Sequence, residues 1–382
     1  MKFLHTADWH LGRIFHQLHL TDDQAVALDQ IVDIAVAEKV DAVIVAGDLY
    51  DRAVPPPEAV ALLDRTWARL ISETGAPIIA IPGNHDSATR VGYGASLLAK
   101  SGLHIVANFE EAIQPIQVGG IDVFALPFAE PAEVRAWAGA SEVRDHATAM
   151  QVCLDRMREN FSPDRRRMLV AHAFVAGAKT ESESERPLSV GGAGTVPYEL
   201  FKDFDYVALG HLHAPQTIAP NCLYSGSPLK YSFSEASHKK SVVIGEMDPV
   251  SGDINVRLVP LKPRRDVRNL EGELLKLISG ASNDPKRLDY LRVTLTDQGA
   301  LLNAISRLRE VYPNVLQIER TYLQKTSASQ IQKRRESTET ELFSNFYREA
   351  LDGEPSPEEL SLFQQAINEL NRSEPLSEGA SL

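Results

Sequence analysis

Five short apolar runs, each halting at an Asp, Asn or His, constrain this chain more than any other feature. Residues 2–7 halt at Asp8-Trp9-His10, Val40 to Ala46 at Gly47-Asp48, and Pro77 to Ile81 at Gly83-Asn84-His85-Asp86. Met168 to Ala171 halts at His172, and Tyr206 to Leu209 at Gly210-His211-Leu212-His213. Runs this short and apolar read as buried strands. Between the first three lie helical patterns. Val26, Leu28, Ile31, Ile34, Ala35 and Val36 carry one, opened by Thr21-Asp22-Asp23-Gln24, which reads as a capping box. A second runs from about Glu58 to Glu73 and stops before Gly75. Alternating strands and helices predict βαβ units and a largely parallel sheet. Such sheets bind ligands at the carboxyl ends of their strands.

Beyond residue 100 the pattern changes. Ile113–Val118, Gly119-Gly120 and Ile121–Leu126 read as a hairpin, and Ser241–Met247 and Ile254–Leu261 as further strands, so a second sheet packed on the first is expected. Ser182 to Gly194 reads as an exposed loop. Lys262-Pro263-Arg264-Arg265 marks a boundary. A small unit follows, with helices over Leu270–Ser279 and Gln298–Val311 and strands over Tyr290–Leu295 and Val315–Thr321. A polar stretch, Lys325–Lys333, leads to two amphipathic helices near Glu339–Leu351 and Pro357–Leu370. A pair this small cannot bury both apolar faces alone, so it must dock on its own chain or on a partner.

The formal net charge of −13 argues against coating nucleic acid by bulk positive charge. It does not exclude a nucleic-acid enzyme, because ions held by carboxylates reverse the local sign. Residues 330–382 carry 11 acidic and 5 basic side chains, so the acid is concentrated in the tail. Cys153 and Cys222 lack metal-ligand spacing and read as reduced core or surface residues. No membrane span and no signal peptide are expected, which makes the cytoplasm the expected compartment.

Five segments delivering oxygen and imidazole donors to one sheet edge suit divalent ions such as manganese, iron, zinc or magnesium. Two ions about 3.5–4 Å apart need a bridging carboxylate. Asp48 is the choice, since the other donors divide on either side of it. Asp8-x-His10 and His211-x-His213 would each point two side chains the same way along an extended chain.

On these residues the chain resembles the calcineurin-like metallophosphoesterases, and within them the SbcD family of nuclease subunits from double-strand-break repair complexes. The resemblance rests on His5-Thr6-Ala7-Asp8-Trp9-His10-Leu11-Gly12, Gly47-Asp48-Leu49-Tyr50-Asp51, Gly83-Asn84-His85-Asp86-Ser87 and Tyr224-Ser225-Gly226-Ser227-Pro228-Leu229. Asp86 is the specific mark, because phosphatase branches typically carry Glu there. The resemblance implies an α/β fold: a two-sheet αββα sandwich over 1–262, a small α+β DNA-capping domain over 263–325, and a linker with C-terminal helices over 326–382. Those helices would bind an SbcC-type ATPase subunit. It implies two metal ions, manganese above others. Asp8, His10 and His213 would hold the first, Asn84, His172 and His211 the second, and Asp48 would bridge. His85 would be no ligand but the catalytic histidine that contacts the scissile phosphate. The implied activity is 3′→5′ exonuclease action on double-stranded DNA and endonuclease action at hairpins or blocked ends, in repair, recombination and replication. A homodimer within a heterotetramer is implied too, through helices near 58–73 and 88–101.

Archaeal relatives have a further histidine after the bridging Asp. Here Asp51-Arg52 follow, and Arg52 is a candidate phosphate contact instead. His16 and His19 could reach DNA, though solvated loop residues are the blander reading. Arg165-Arg166-Arg167, His238-Lys239-Lys240 and Lys262–Arg268 are candidate phosphate contacts. Two other readings stand beside the nuclease. One is a small-molecule or nucleotide phosphodiesterase, which has little need of a cap and a docking tail. The other is a scaffold with a structural metal site, in which His85 would have no role.

Overall fold

The computed structural model describes residues 1–179, 194–299, 301–321, 339–351 and 353–373. The expected loop at 182–193 and the polar stretch at 325–333 lie outside the described residues. The chain divides into two compact units, Met1–Arg268 and Asn269–Leu382. No helix of the described residues is long and apolar enough to cross a membrane.

The first unit is built on two six-stranded sheets. In the first, Lys2–Thr6, Ala42–Ala46, Ile78–Ile81 and Leu103–Ile105 run parallel, and Ser241–Met247 and Ile254–Pro260 extend it antiparallel. In the second, Ile121–Leu126, Arg166–His172, Tyr206–Gly210 and Cys222–Tyr224 run parallel, with Ile116–Val118 and Gln216–Ala219 antiparallel at the edges. Side chains alternate across a strand. Phe3, Ile44, Ala46, Ile79 and Ile81 therefore join the core shared with the second sheet. Leu4, Val43, Val45, Ile78 and Ala80 point the other way, under the helices Thr21–Glu38 and Pro57–Thr74. The helix His146–Arg158 buries Met150, Cys153, Leu154 and Met157 against the second sheet's core. The layers are those of an αββα sandwich, and the parallel strands of both sheets end where the five expected segments begin.

Two local expectations fail. Thr21 caps nothing: the helix Thr21–Glu38 has Leu20 at its N-cap and no side-chain cap bond. A capping box does form at Asp145, whose carboxylate accepts the Thr148 N–H. Leu270 lies in a strand, Val267–Gly272, and the helix starts only at Leu274. The first cationic cluster makes contacts within the fold. Arg165 pairs with Asp122 at 2.5 Å, Arg166 donates to the Val250 carbonyl, and Arg167 lies over the Phe161 ring. They sit at the start of the Arg166–His172 strand, about 20 Å of extended chain from the His172 end.

In the second unit the strands Val267–Gly272, Tyr290–Leu295 and Val315–Arg320 form a three-stranded sheet. Leu274, Leu291, Val293, Leu295, Leu308 and Val315 are its core. The helices Glu339–Leu351 and Pro357–Ser373 pack on each other. Phe343 stacks on Phe363 at 4.1 Å, and Tyr347 donates to Glu359. Phe346 and Leu362 stay 67% and 70% exposed.

Candidate metal centre

The strand ends turn sharply. Asp8, His10, Asp48 and His211 all have positive φ, half of the eight such non-glycine residues among those described. Left-handed backbone at non-glycine residues is strained and gathers at functional sites. The extended-chain reading of Asp8-x-His10 and His211-x-His213 therefore does not hold: strand geometry ends at Thr6 and Gly210, and left-handed residues aim these side chains instead. Main-chain bonds tie the turns together, with Asp8 N–H donating to Gly47 O and His10 N–H to Asp48 O.

All seven expected ligands converge, and all but Asn84 are buried. Asp48 is central. Its Oδ1 accepts the His85 N–H at 2.9 Å, which leaves Oδ2 3.5 Å from His10 Nε2 and 3.4 Å from His172 Nε2. On one side, His10 Nε2 and His213 Nε2 face each other at 3.1 Å, and Asp8, His10 and Asp48 form a compact donor group. On the other, Asn84 Oδ1 lies 2.9 Å from His172 Nε2 and 3.2 Å from His211 Nδ1. Asp8 Oδ1 accepts the His211 N–H at 2.8 Å and links the two sides.

The electrostatics fit cations. Burial lowers the pKa of His10, His211 and His213 below that of an ordinary imidazole and so favours the neutral form, the one that ligates metal. Burial also disfavours the His172 imidazolium, but Asp48 overrides it and lifts His172 to about 9. Burial opposes ionisation of Asp48, and His172 overcomes it, holding the carboxylate far below its usual range. Donors sharing one ion with bonds of about 2.1 Å lie roughly 3 Å apart. The spacings here, 2.9 to 3.5 Å, match that. His10 Nδ1 is buried with no hydrogen-bond partner, although Asp51 Oδ1, held by Arg13, lies 3.7 Å away.

His85 lies beside His10, and with His10 and Asp51 it forms a second compact donor group. Its Nδ1 donates to the Asp51 carbonyl at 2.9 Å, and its ring lies edge-on to His10 at 4.7 Å. Asp86 is not aimed inward. Its carboxylate accepts the N–H groups of Leu49, Tyr50 and Gly83 and clamps two of the turns together. Burial, with the Asp48 charge beside it, raises Asp86 to about 7.

Residues 1–215 match the calcineurin-like phosphoesterase family. Residues 263–350 match a second family, described as the Type 5 capsule protein repressor C-terminal domain. The SbcD subunit of the SbcCD nuclease of Staphylococcus epidermidis is 34% identical over 354 residues, spanning 92% of this chain and 94% of that protein. The chain belongs to the SbcD family of calcineurin-like phosphoesterases. Two solved structures show weaker similarity. A Thermus thermophilus protein gives a TM-score of 0.40 at 15% identity, over 67% of this chain and 98% of its own. A dimetal phosphatase from Danio rerio gives 0.37 at 11%, over 68% and 95%. Scores this low carry no weight for fold or function.

Within this SbcD-family site, sequence reasoning missed the supporting side chains. Gln24 does not serve its helix. It donates to His10 O at 2.7 Å and to Trp9 O, and accepts the Gly12 N–H, so it holds the His10 turn. Tyr231 donates to Trp9 O at 2.5 Å. Glu235 meets His213, and Lys240, a candidate phosphate contact by sequence, is buried against Glu235. A buried polar residue near a ligand in space carries no local sequence signal; only the Gln24 position offers one, and that signal points to a cap.

Proposed function

We propose that this chain is a metal-dependent nuclease that hydrolyses phosphodiester bonds of double-stranded DNA. It acts with two divalent ions, manganese above others, as the nuclease subunit beside an SbcC-type ATPase. The observation that carries the reading is Asp48 Oδ2, equidistant within 0.1 Å from imidazole nitrogens of two separate donor groups. Asp8, His10 and His213 would hold one ion, Asn84, His172 and His211 the other, with Asp48 shared. When bound, two such ions polarise a phosphodiester and lower the pKa of water at the site. The protein's own part is positioning. The His85 amide turns Asp48 so that one oxygen faces both donor groups. The Asp51 carbonyl aims the His85 ring, leaving Nε2, when it carries a proton, to donate to the departing oxygen. Arg52 follows Asp51 in the chain and is exposed, and no described residue pairs with it, which suits a phosphate contact.

The second unit supports action on a large substrate within a complex. Residues 263–325 would cap the DNA. The helices of 326–382, with Phe346 and Leu362 outward, would bind the ATPase. Tyr93 and Leu97, 87% and 70% exposed, would serve a homodimer contact. Exonuclease and hairpin-opening roles in cytoplasmic DNA repair, recombination and replication follow from the same reading. The test is cleavage of an end-labelled linear duplex in manganese, magnesium or EDTA. Manganese-dependent shortening is expected, absent in Asp48→Ala. His85→Ala should keep both ions and lose about 10²–10⁴-fold in rate. An intact duplex even with the ATPase present, alongside turnover of a small phosphodiester, would instead favour the small-molecule enzyme.

A further inference from the structure

We infer that Glu235 is the positioning residue for His213, itself held by Lys240 and the Tyr224–Leu229 loop. The inference rests on the two-ion reading above. Glu235 is 0% exposed and Lys240 6%. The carboxylate divides its oxygens: Oε1 accepts from His213 Nδ1 at 3.1 Å, and Oε2 from Lys240 Nζ at 2.6 Å. Lys240 Nζ also donates to the His213 carbonyl at 2.8 Å and to Ser227 Oγ at 2.9 Å. One ammonium therefore grips both the main chain of the ligand and the carboxylate behind its ring. Ser227 completes the frame, its N–H donating to His213 O at 3.2 Å and its hydroxyl to Leu229 O at 2.8 Å. Gly226, at φ 75°, has no room for a Cβ beside Pro215 and the His213 carbonyl. The Ser-Gly-Ser-Pro stretch is thus the floor beneath His213.

Stability alone does not explain this arrangement. Burying a carboxylate and an ammonium costs desolvation that their attraction barely repays, and apolar residues of similar volume do as well. A carboxylate on Nδ1 does something apolar residues cannot. It fixes the proton on Nδ1, leaves a lone pair on Nε2 and raises the basicity of that nitrogen. His213 Nε2 is the atom that faces His10 Nε2. Lys240 Nζ is spent on Glu235, Ser227 and the His213 carbonyl, so it is committed to the fold rather than to DNA.

The test titrates manganese alone into the full chain by calorimetry. Glu235→Gln is expected to weaken one of the two ions by about 10–100-fold and leave the other within about twofold. Unchanged binding of both, or equal weakening of both, overturns the inference. Asp48→Ala separates the two levels. If it binds like wild type, the two-ion reading fails; if it loses the ions while Glu235→Gln keeps them, only this inference fails. The double variant Glu235→Gln/Lys240→Met removes the buried pair together. A role limited to balancing Lys240 predicts restored affinity, whereas positioning predicts the same one-ion loss. The tautomer can also be read without substitution, by nitrogen NMR of the histidine-labelled, metal-free wild type. His213 protonated on Nδ1 is expected, and protonation on Nε2 overturns the inference.

Discussion

His172 and His213 lie in the same cluster of converging donors, yet different devices aim them. His172 Nδ1 donates to the main-chain carbonyl of Ala46 at 2.9 Å. His213 Nδ1 meets the side chain of Glu235. The Ala46 carbonyl is neutral and closes a strand in which Ala46 itself is in register with Ile81, so the sheet edge holds it. Glu235 is charged and needs Lys240 to be buried at all. The first histidine is therefore aimed by the fold, and any sequence that keeps the sheet keeps the aim. The second is aimed by two residues that can change while the fold stands.

The largest effect comes from breaking the fold-aimed side. A Cβ on Gly210 would run into the Ala46 carbonyl and crowd His172 Nδ1. These atoms belong to strands of two different sheets, and neither can retreat without moving its neighbours. Gly210→Ala is expected to cost about 3 kcal/mol, the upper end for overpacked sites, because the clash is with backbone. Its denaturant midpoint against wild type measures this. A wild-type midpoint would mean that the Ala46 carbonyl is free to shift, and the contrast with His213 would collapse.

This asymmetry also explains what is legible in the sequence. His172 and Asp48 can be placed because each closes an apolar run, and parallel strands deliver their ends to one edge. Ala46 needs no recognition, since its carbonyl comes with the strand. Glu235 and Lys240 lie in a segment without periodic pattern, and Lys240 follows His238 and Lys239 in what looks like a solvated basic run. Only the tertiary path through Ser227 and His213 buries it. Leu270 fails for a related reason: a half-buried strand in a three-stranded sheet and the first turn of a helix look alike over so few residues.

Gln24 tests the side-chain-aimed half from another direction. It satisfies two carbonyls and one N–H of the Trp9–Gly12 turn from the first helix. Gln24→Ala strands these buried groups and is expected to cost about 2 kcal/mol in urea unfolding. Manganese titration should show the His10–His213 ion weakened and the His172–His211 ion unchanged. Equal loss at both would mean that the His10 turn is rigid only as part of the whole edge.

The smallest effect probes what joins the two sheets beneath the donor groups. His5, in the first sheet, donates from Nε2 to the Leu209 carbonyl at 3.1 Å and lies 3.1 Å from the Tyr206 hydroxyl, both in the second sheet. Leu209 is the last residue before Gly210 and the two histidines. Burial depresses His5 from 6.5 to about 3, only partly offset by the Leu209 bond. The folded chain thus refuses a proton that the unfolded chain takes up below 6.5. The stability from neutral His5 is complete above that pH and declines as pH falls toward 3, by about 1.4 kcal/mol per pH unit. Comparing urea unfolding of wild type and His5→Asn in EDTA from pH 7 to 5 isolates this slope from the other histidines. The variant should lose roughly one proton's dependence. If both chains show the same slope, His5 is reached by water in the native state, and the sheets are joined at this edge by apolar packing alone.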